Sequence, residues 1–373
     1  MKKLHIKPTL ILFVFCLFSI AASLSVQAGD PVIIRGVDLE DLSAASKPIS
    51  LSTRTAPTYA HASVDLTFGP GLAGNIPAQQ AFTRAAARWS AVLADPVTLN
   101  ITVDYESLGA GILGQTNATM LWGGYSEVRD LVANGADSGS SREALLPQLP
   151  TLSQYSMYVP SNVPSWSGNA SITQANYLAL GGYHLIPSDG SITFTSNYTW
   201  DFDPSDGISP GTFDFEGAAV HEMGHILGFM SEVDNVDYYL GQNQTADPYP
   251  TPLDLFRFQT GDLGAGFNFT TTPRIMAPGG SQSFYYGDGS VPMSTGVYNG
   301  DGNQASHWKD NMDLGIMDPT AAPEEVLNIS QNDLIAMDLI GWDVVPEPST
   351  MILLLMAGAL MLAGHAGKRL RSS

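Results

Sequence analysis

Two histidines and a glutamate stand together in the run His221-Glu222-Met223-Gly224-His225-Ile226-Leu227-Gly228-Phe229. On a helix four residues advance about 400°, so His221 and His225 lie about 40° apart on one face, a turn from each other. Imidazole nitrogen is a ligand for Zn²⁺, and two rings so placed can reach one ion. Glu222 adjoins the first ligand and points elsewhere. The H-E-x-x-H pattern gives such a carboxylate the role of general base toward a water on the metal. The chemistry expected of the run is metal-assisted attack of water on a carbonyl.

A catalytic zinc keeps three protein ligands and one open position, so a third donor is needed. Ser231, three residues past Gly228, is a poor ligand. Glu232 and Asp234 follow it, beyond a chain reversal at Gly228. Further imidazoles outside the two chain ends are His61, His184 and His307. His307 stands in Ala305-Ser306-His307-Trp308-Lys309, followed shortly by Gly315-Ile316-Met317-Asp318-Pro319. That pairing resembles leishmanolysin, a metzincin zinc peptidase whose third histidine follows a long insertion and precedes its Met-turn. It is also similar to bacterial metallopeptidases with a PEP-CTERM tail. The resemblance covers residues 213–341 well and residues 58–200 only in general layout. It implies His221, His225 and His307 as zinc ligands, Glu222 as general base and Met317 as the methionine under the metal. It also implies a secreted zinc metalloendopeptidase, with protein or peptide as substrate lying extended along an edge strand near Ser191 to Thr195. Serine at position 231 excludes the short-loop metzincins. The competing reading is a catalytically inactive surface or matrix protein that keeps the peptidase fold for binding.

These residues need a frame. Residues 62–68 alternate like a strand, residues 76–93 carry Phe82, Ala85, Trp89 and Val92 at helical spacing, and residues 97–105 are rich in β-branched side chains. Strand, helix, strand in that order predicts a crossover unit in a mixed sheet. A helix is predicted within 127–146, a strand at 190–195 and strand-like pieces such as 253–258. The metal-binding helix is predicted over 213–227, closed at Gly228 by a left-handed cap. Ser330-Gln331-Asn332-Asp333 has a capping-box pattern opening a last helix that Gly341 ends. The expected fold class is α+β: a twisted mixed sheet with the active-site helix in an N-terminal lobe (58–228), and a loop-rich C-terminal lobe (229–345) ending in a helix. A metzincin-like cleft is expected between the two lobes.

Both chain ends look like processing signals. Lys2, Lys3 and Lys7 precede an apolar run over 10–20 and small residues closing on Ala28, the make-up of a signal peptide over 1–28. Residues 29–57 form a leader, linker or propeptide. The only cysteine, Cys16, lies in the apolar run, so the exported chain has no thiol for a disulfide, a metal or a latency switch. Val345-Pro346-Glu347-Pro348-Ser349, the apolar stretch 351–363 and Lys368, Arg369 and Arg371 resemble the PEP-CTERM sorting tail of Gram-negative bacteria (346–373). That resemblance implies a hydrophobic transmembrane segment docking the tail transiently in the membrane, an exosortase as partner, and a periplasmic, cell-surface or extracellular destination. The net charge of −20 becomes more negative without these basic ends, which argues against nucleic acid as a partner. The acidic turns Asp201-Phe202-Asp203-Pro204-Ser205-Asp206-Gly207 and Asn299-Gly300-Asp301-Gly302-Asn303 offer oxygen donors suited to Ca²⁺, though neither has the EF-hand pattern.

Overall fold

The computed structural model describes residues 61–135 and 141–345, with the backbone of Phe13–Phe18 and Ala21–Ala22. The segments expected to be a leader (29–57) and a sorting tail (346–373) lie outside the described residues, as does the expected signal peptide (1–28) apart from those two short strands. Among the described residues no helix is long and apolar enough to cross a membrane.

The first part runs β1 (Ser63–Phe68), α1 (Ile76–Val92), β2 (Thr98–Glu106), β3 (Gly114–Gly124), α2 (Tyr125–Ala133), β4 (Asn169–Thr173), α3 (Gln174–Ala179) and β5 (Gly190–Thr195). β1 and β2 pair in parallel from Ser63↔Thr98 to Phe68↔Val103, with α1 as the crossover between them. This is the unit that the strand-helix-strand order predicts. β5 joins the other side of β2 in parallel, and β3 then runs antiparallel to β5. β4 pairs antiparallel with the far half of β3. The opposite edge of β3 carries the backbone of Phe13–Phe18, paired from Thr116 to Met120. The sheet is therefore mixed, and the fold is α+β.

α1 is placed by its own pattern. Asn75 caps it through Ala78 N–H, and the small residues Ala78, Ala81 and Ala85 alternate with Phe82 and Trp89 on the buried side. Small side chains let α4 (Phe215–Leu227) lie close against it, and α4 also packs on β3. Trp89 Nε1 donates to the Val220 carbonyl of α4 at 2.8 Å. Every residue of α4 is buried, so this helix is core on all sides rather than a surface helix with one apolar stripe. Asp214 caps its start by accepting from Gly217 N–H, and Gly228 at φ 120° ends it. Only a residue without Cβ takes that conformation cheaply.

The second part holds α5 (Val233–Gly241), an antiparallel sheet of β6 (Arg257–Gln259), β7 (Gln282–Tyr285) and β8 (Ser290–Met293), and α6 (Gln331–Ile340), beside strands of two residues. Ser330 and Asp333 form the predicted capping box, and Gly341 closes α6 in the left-handed conformation. Trp342 Nε1 donates to Leu227 O at 2.7 Å, tying the end of the chain to α4. One continuous hydrophobic cluster includes residues from Ala62 to Trp342, so both halves share a core.

Several expectations change. The helix predicted within 127–146 stops at Ala133, before Asn134-Gly135, and Ser141–Gln148 is a 3₁₀ segment. Residues 253–256 form a 3₁₀ turn after Pro252, and the strand starts at Arg257. Residues 191–195 do not form an edge. They sit in β5, paired on one side with β2 and on the other with β3, so no further strand can join there.

Candidate metal centre

α4 presents His221 and His225 one turn apart, and the loop after β8 brings His307 onto them. His221 Nε2 lies 3.2 Å from His225 Nε2 and 3.2 Å from His307 Nε2. Their ligand atoms all fall within 4.8 Å of one another, and all three side chains are buried. The opposite ring nitrogens are committed to backbone carbonyls. His221 Nδ1 meets Ile316 O at 2.6 Å, His225 Nδ1 meets Phe229 O at 2.9 Å, and His307 Nδ1 meets Gln304 O at 3.1 Å.

A carbonyl oxygen can only accept, so each Nδ1 carries a proton and donates it. A neutral ring then has a lone pair, not a proton, on Nε2. Burial disfavours a second proton: it pulls His221 down to about 4, and His225 and His307 well below the ordinary histidine value. Three lone pairs thus face one another in the interior. They repel unless a cation lies between them. The donor set is three neutral imidazoles with tautomers fixed by carbonyls, which fits a divalent transition metal.

Met317 lies against α4 where the helix has no side chain. A Cβ at Gly224 would come within 2.5 Å of Met317 Sδ, so the glycine between the two histidines is what admits the methionine. Glu222 is fully buried between α4 and β3. Thr116 of β3 donates its hydroxyl to Glu222 Oε2 at 2.6 Å, and Oε1 occupies the space left by the missing side chain of Gly114, where a Cβ would stand 2.8 Å away.

The loop carrying His307 is gripped on every side. Asp234 accepts from Ala305 N–H at 2.6 Å, Ser306 N–H at 3.0 Å and the Ser306 hydroxyl at 2.5 Å. Arg257 donates to the Ala305 and Ser294 carbonyls and faces Asp254 at 3.6 Å. Trp308 Nε1 donates to Asp333 at 2.7 Å.

The other donors considered for the metal are placed elsewhere. Ser231 donates its hydroxyl to Asp254 at 2.6 Å. Glu232 accepts from Asn235, and burial lifts its carboxyl to about 8. Asp234 holds backbone near His307 rather than joining the histidines; burial lifts it to about 7 against the bonds it accepts. His61 is exposed, and His184 pairs with Asp189 at 3.1 Å. Among the described residues, the one group of three or more His, Cys, Asp or Glu close enough to hold an ion is His221, His225 and His307. In the acidic turns Asp201 and Asp301 are held by protein donors. Asp201 accepts from Asp203 N–H and from both donors of Ser209, and Asp301 accepts from Thr295 N–H and pairs with Lys309 at 2.5 Å.

Thr116, Gly114, Asp333 and Arg257 are contributors that sequence reasoning does not find. β3 carries no motif, and only the capping position of Asp333 is visible in the chain. Comparison with family models, curated proteins and solved structures finds no match to this chain.

Proposed function

We propose that this chain is an exported zinc-dependent endopeptidase whose metal is held by His221, His225 and His307. The observation that carries the reading is the convergence of three Nε2 atoms at 3.2 Å and below 4.8 Å, with every Nδ1 occupied by a carbonyl. Zinc, when bound, supplies a Lewis acid that polarises a carbonyl and activates water.

The chain's own groups do the rest. Glu222 takes a proton from the attacking water and returns it to the leaving amine, while the bond from Thr116 to Oε2 keeps the carboxylate in one orientation. Met317 packs beneath the ligand helix and fills the gap at Gly224. The substrate is an extended protein or peptide segment. The edge for it is that of β3 over Thr116 to Met120, where the backbone of Phe13–Phe18 is paired. Ala21–Ala22 continues that segment onto Thr320–Ala321, just past Met317. Removal of a signal peptide over 1–28 frees both stretches, and a substrate strand takes their place by the same backbone pairing. The mature enzyme is two-lobed in this reading, with a sorting tail that an exosortase processes at the membrane of a Gram-negative cell.

The test is peptide or casein cleavage by the chain lacking residues 1–28. Activity is expected to vanish with a chelator and return with zinc, and Glu222→Gln is expected to lose about 10²–10⁴-fold in rate with zinc retained. Cleavage indifferent to chelator removes the reading. Tight zinc without any cleavage favours the alternative, a binding protein that keeps the fold.

A further inference from the structure

His307 is separated from His225 by a long stretch of chain and stands on a loop, not a helix. A ligand on such a loop needs support that does not come from its own secondary structure. Two carboxylates supply it, one on each flank. Asp234, on the first turn of α5, accepts from Ala305 N–H, Ser306 N–H and Ser306 Oγ, the residues that lead into His307. Ser306 Oγ in turn accepts from Ser231 N–H at 2.7 Å, joining this flank to the chain that leaves α4. Asp333, on the first turn of α6, works on the other flank. Its Oδ1 accepts from Trp308 Nε1 at 2.7 Å and from Met317 N–H at 3.3 Å, and its Oδ2 accepts from Ile316 N–H at 2.8 Å and Ser330 N–H at 2.6 Å.

Asp333 therefore touches two ligands through one intermediary each. Trp308 directly follows His307, and Ile316 is the residue whose carbonyl takes the Nδ1 proton of His221. Gly315 leaves the room for this: a Cβ there would lie 2.3 Å from Asp333 Oδ2. Capping alone uses only the bond to Ser330, so three of the four bonds that Asp333 accepts serve the Met317 turn and Trp308.

We propose that Asp234 and Asp333 are positioning residues that hold His307, and the carbonyl orienting His221, in metal-binding geometry before any ion arrives. The inference rests on the reading of His221, His225 and His307 as ligands. All the bonds to these carboxylates come from donors. An asparagine in either place sets its own N–H₂ against at least one of them, whichever way the amide is turned.

The experiment measures zinc affinity by competition with a chromophoric chelator, and the visible spectrum of the Co²⁺-substituted full chain. The variants are Asp234→Asn, Asp333→Asn, Ser306→Ala and, as a control, Asp189→Asn. Asp189 is a buried carboxylate that accepts from Asn100 N–H and Gln174 in the sheet. Asp234→Asn and Asp333→Asn are expected to weaken zinc about 10–100-fold and to shift the Co²⁺ bands, with far-ultraviolet circular dichroism unchanged. Ser306→Ala, which keeps two of the three donors to Asp234, is expected to weaken zinc by a smaller factor. Asp189→Asn is expected to lower the melting temperature and leave both metal readouts as in the parent. Parent-like affinity and spectra in Asp234→Asn and Asp333→Asn overturn the proposal, as does an equal loss of zinc in Asp189→Asn. Should an asparagine variant not fold, Ser306→Ala decides, and parent-like affinity there overturns it. A parent chain that holds no zinc overturns the metal reading as well, whereas a zinc-binding parent with indifferent variants overturns this inference alone.

Discussion

His221 shows how a single side chain links stability, metal and pH. Its ring is fully buried, its Nδ1 proton goes to Ile316 O, and its Nε2 lone pair faces two others. Burial pulls its folded pKa to about 4, below the ordinary value of 6.5. The unfolded chain therefore binds this proton more readily than the folded one between those two values. Stability that is present above pH 6.5 is lost as the pH falls toward 4, by about 3 kcal/mol at 1.36 kcal/mol per pH unit. Glu232 works in the other direction: its carboxyl, lifted to about 8, contributes stability below its ordinary 4.5 that is lost as the pH rises through 8. Urea unfolding of the metal-free chain from pH 7 to pH 4.5, set against His221→Ala, separates the two. The parent is expected to lose the more stability toward acid. Parallel curves for the two proteins would contradict the neutral, buried ring.

At the scale of elements, α4 is the part on which most depends. It is enclosed by α1, β3 and the segment around Met317, and Gly224 is its contact with that methionine. Gly224→Ala raises helix propensity by up to about 1 kcal/mol. It also drives a methyl to 2.5 Å from Met317 Sδ and 3.5 Å from Trp89. The second effect wins in a packed core, and a net destabilisation of about 1–3 kcal/mol is expected by chemical denaturation. A variant as stable as the parent would show that Met317 does not pack there. The sequence made this helix legible because both its chemistry and its caps are local. His221, His225, Asp214 and Gly228 all act within a few residues of one another. The crossover unit was legible for the same reason, since residues 63–106 alternate and then turn helical in plain periods. β3 was not legible. Its middle, residues 118–121, is buried on both faces and lacks the alternation of a half-exposed strand, and Gln115, Thr116 and Asn117 disguise its start as loop. The expected edge fell on β5 because strand order is a long-range property: nothing in residues 190–195 says which neighbours they meet. The part of Asp333 beyond its cap was hidden likewise, because its other partners at 308, 316 and 317 precede it by many residues.

The whole molecule is a route for bringing distant donors to one point. A shared core from Ala62 to Trp342 fixes α4 against the sheet, and the loop of His307 is fastened by Asp234 and by the fully buried Arg257 and Asp333. The net charge of −20 opposes association with a polyanion such as nucleic acid. The central claim is that three imidazoles, one of them from the far half of the chain, hold a single ion. Its most direct test is zinc titration of the metal-free chain beside His307→Ala, read by bound metal per chain and by affinity. One zinc per parent chain, with binding weakened by orders of magnitude in His307→Ala, is the result expected. A parent that binds no zinc, or a His307→Ala variant that binds it as tightly as the parent, contradicts the claim.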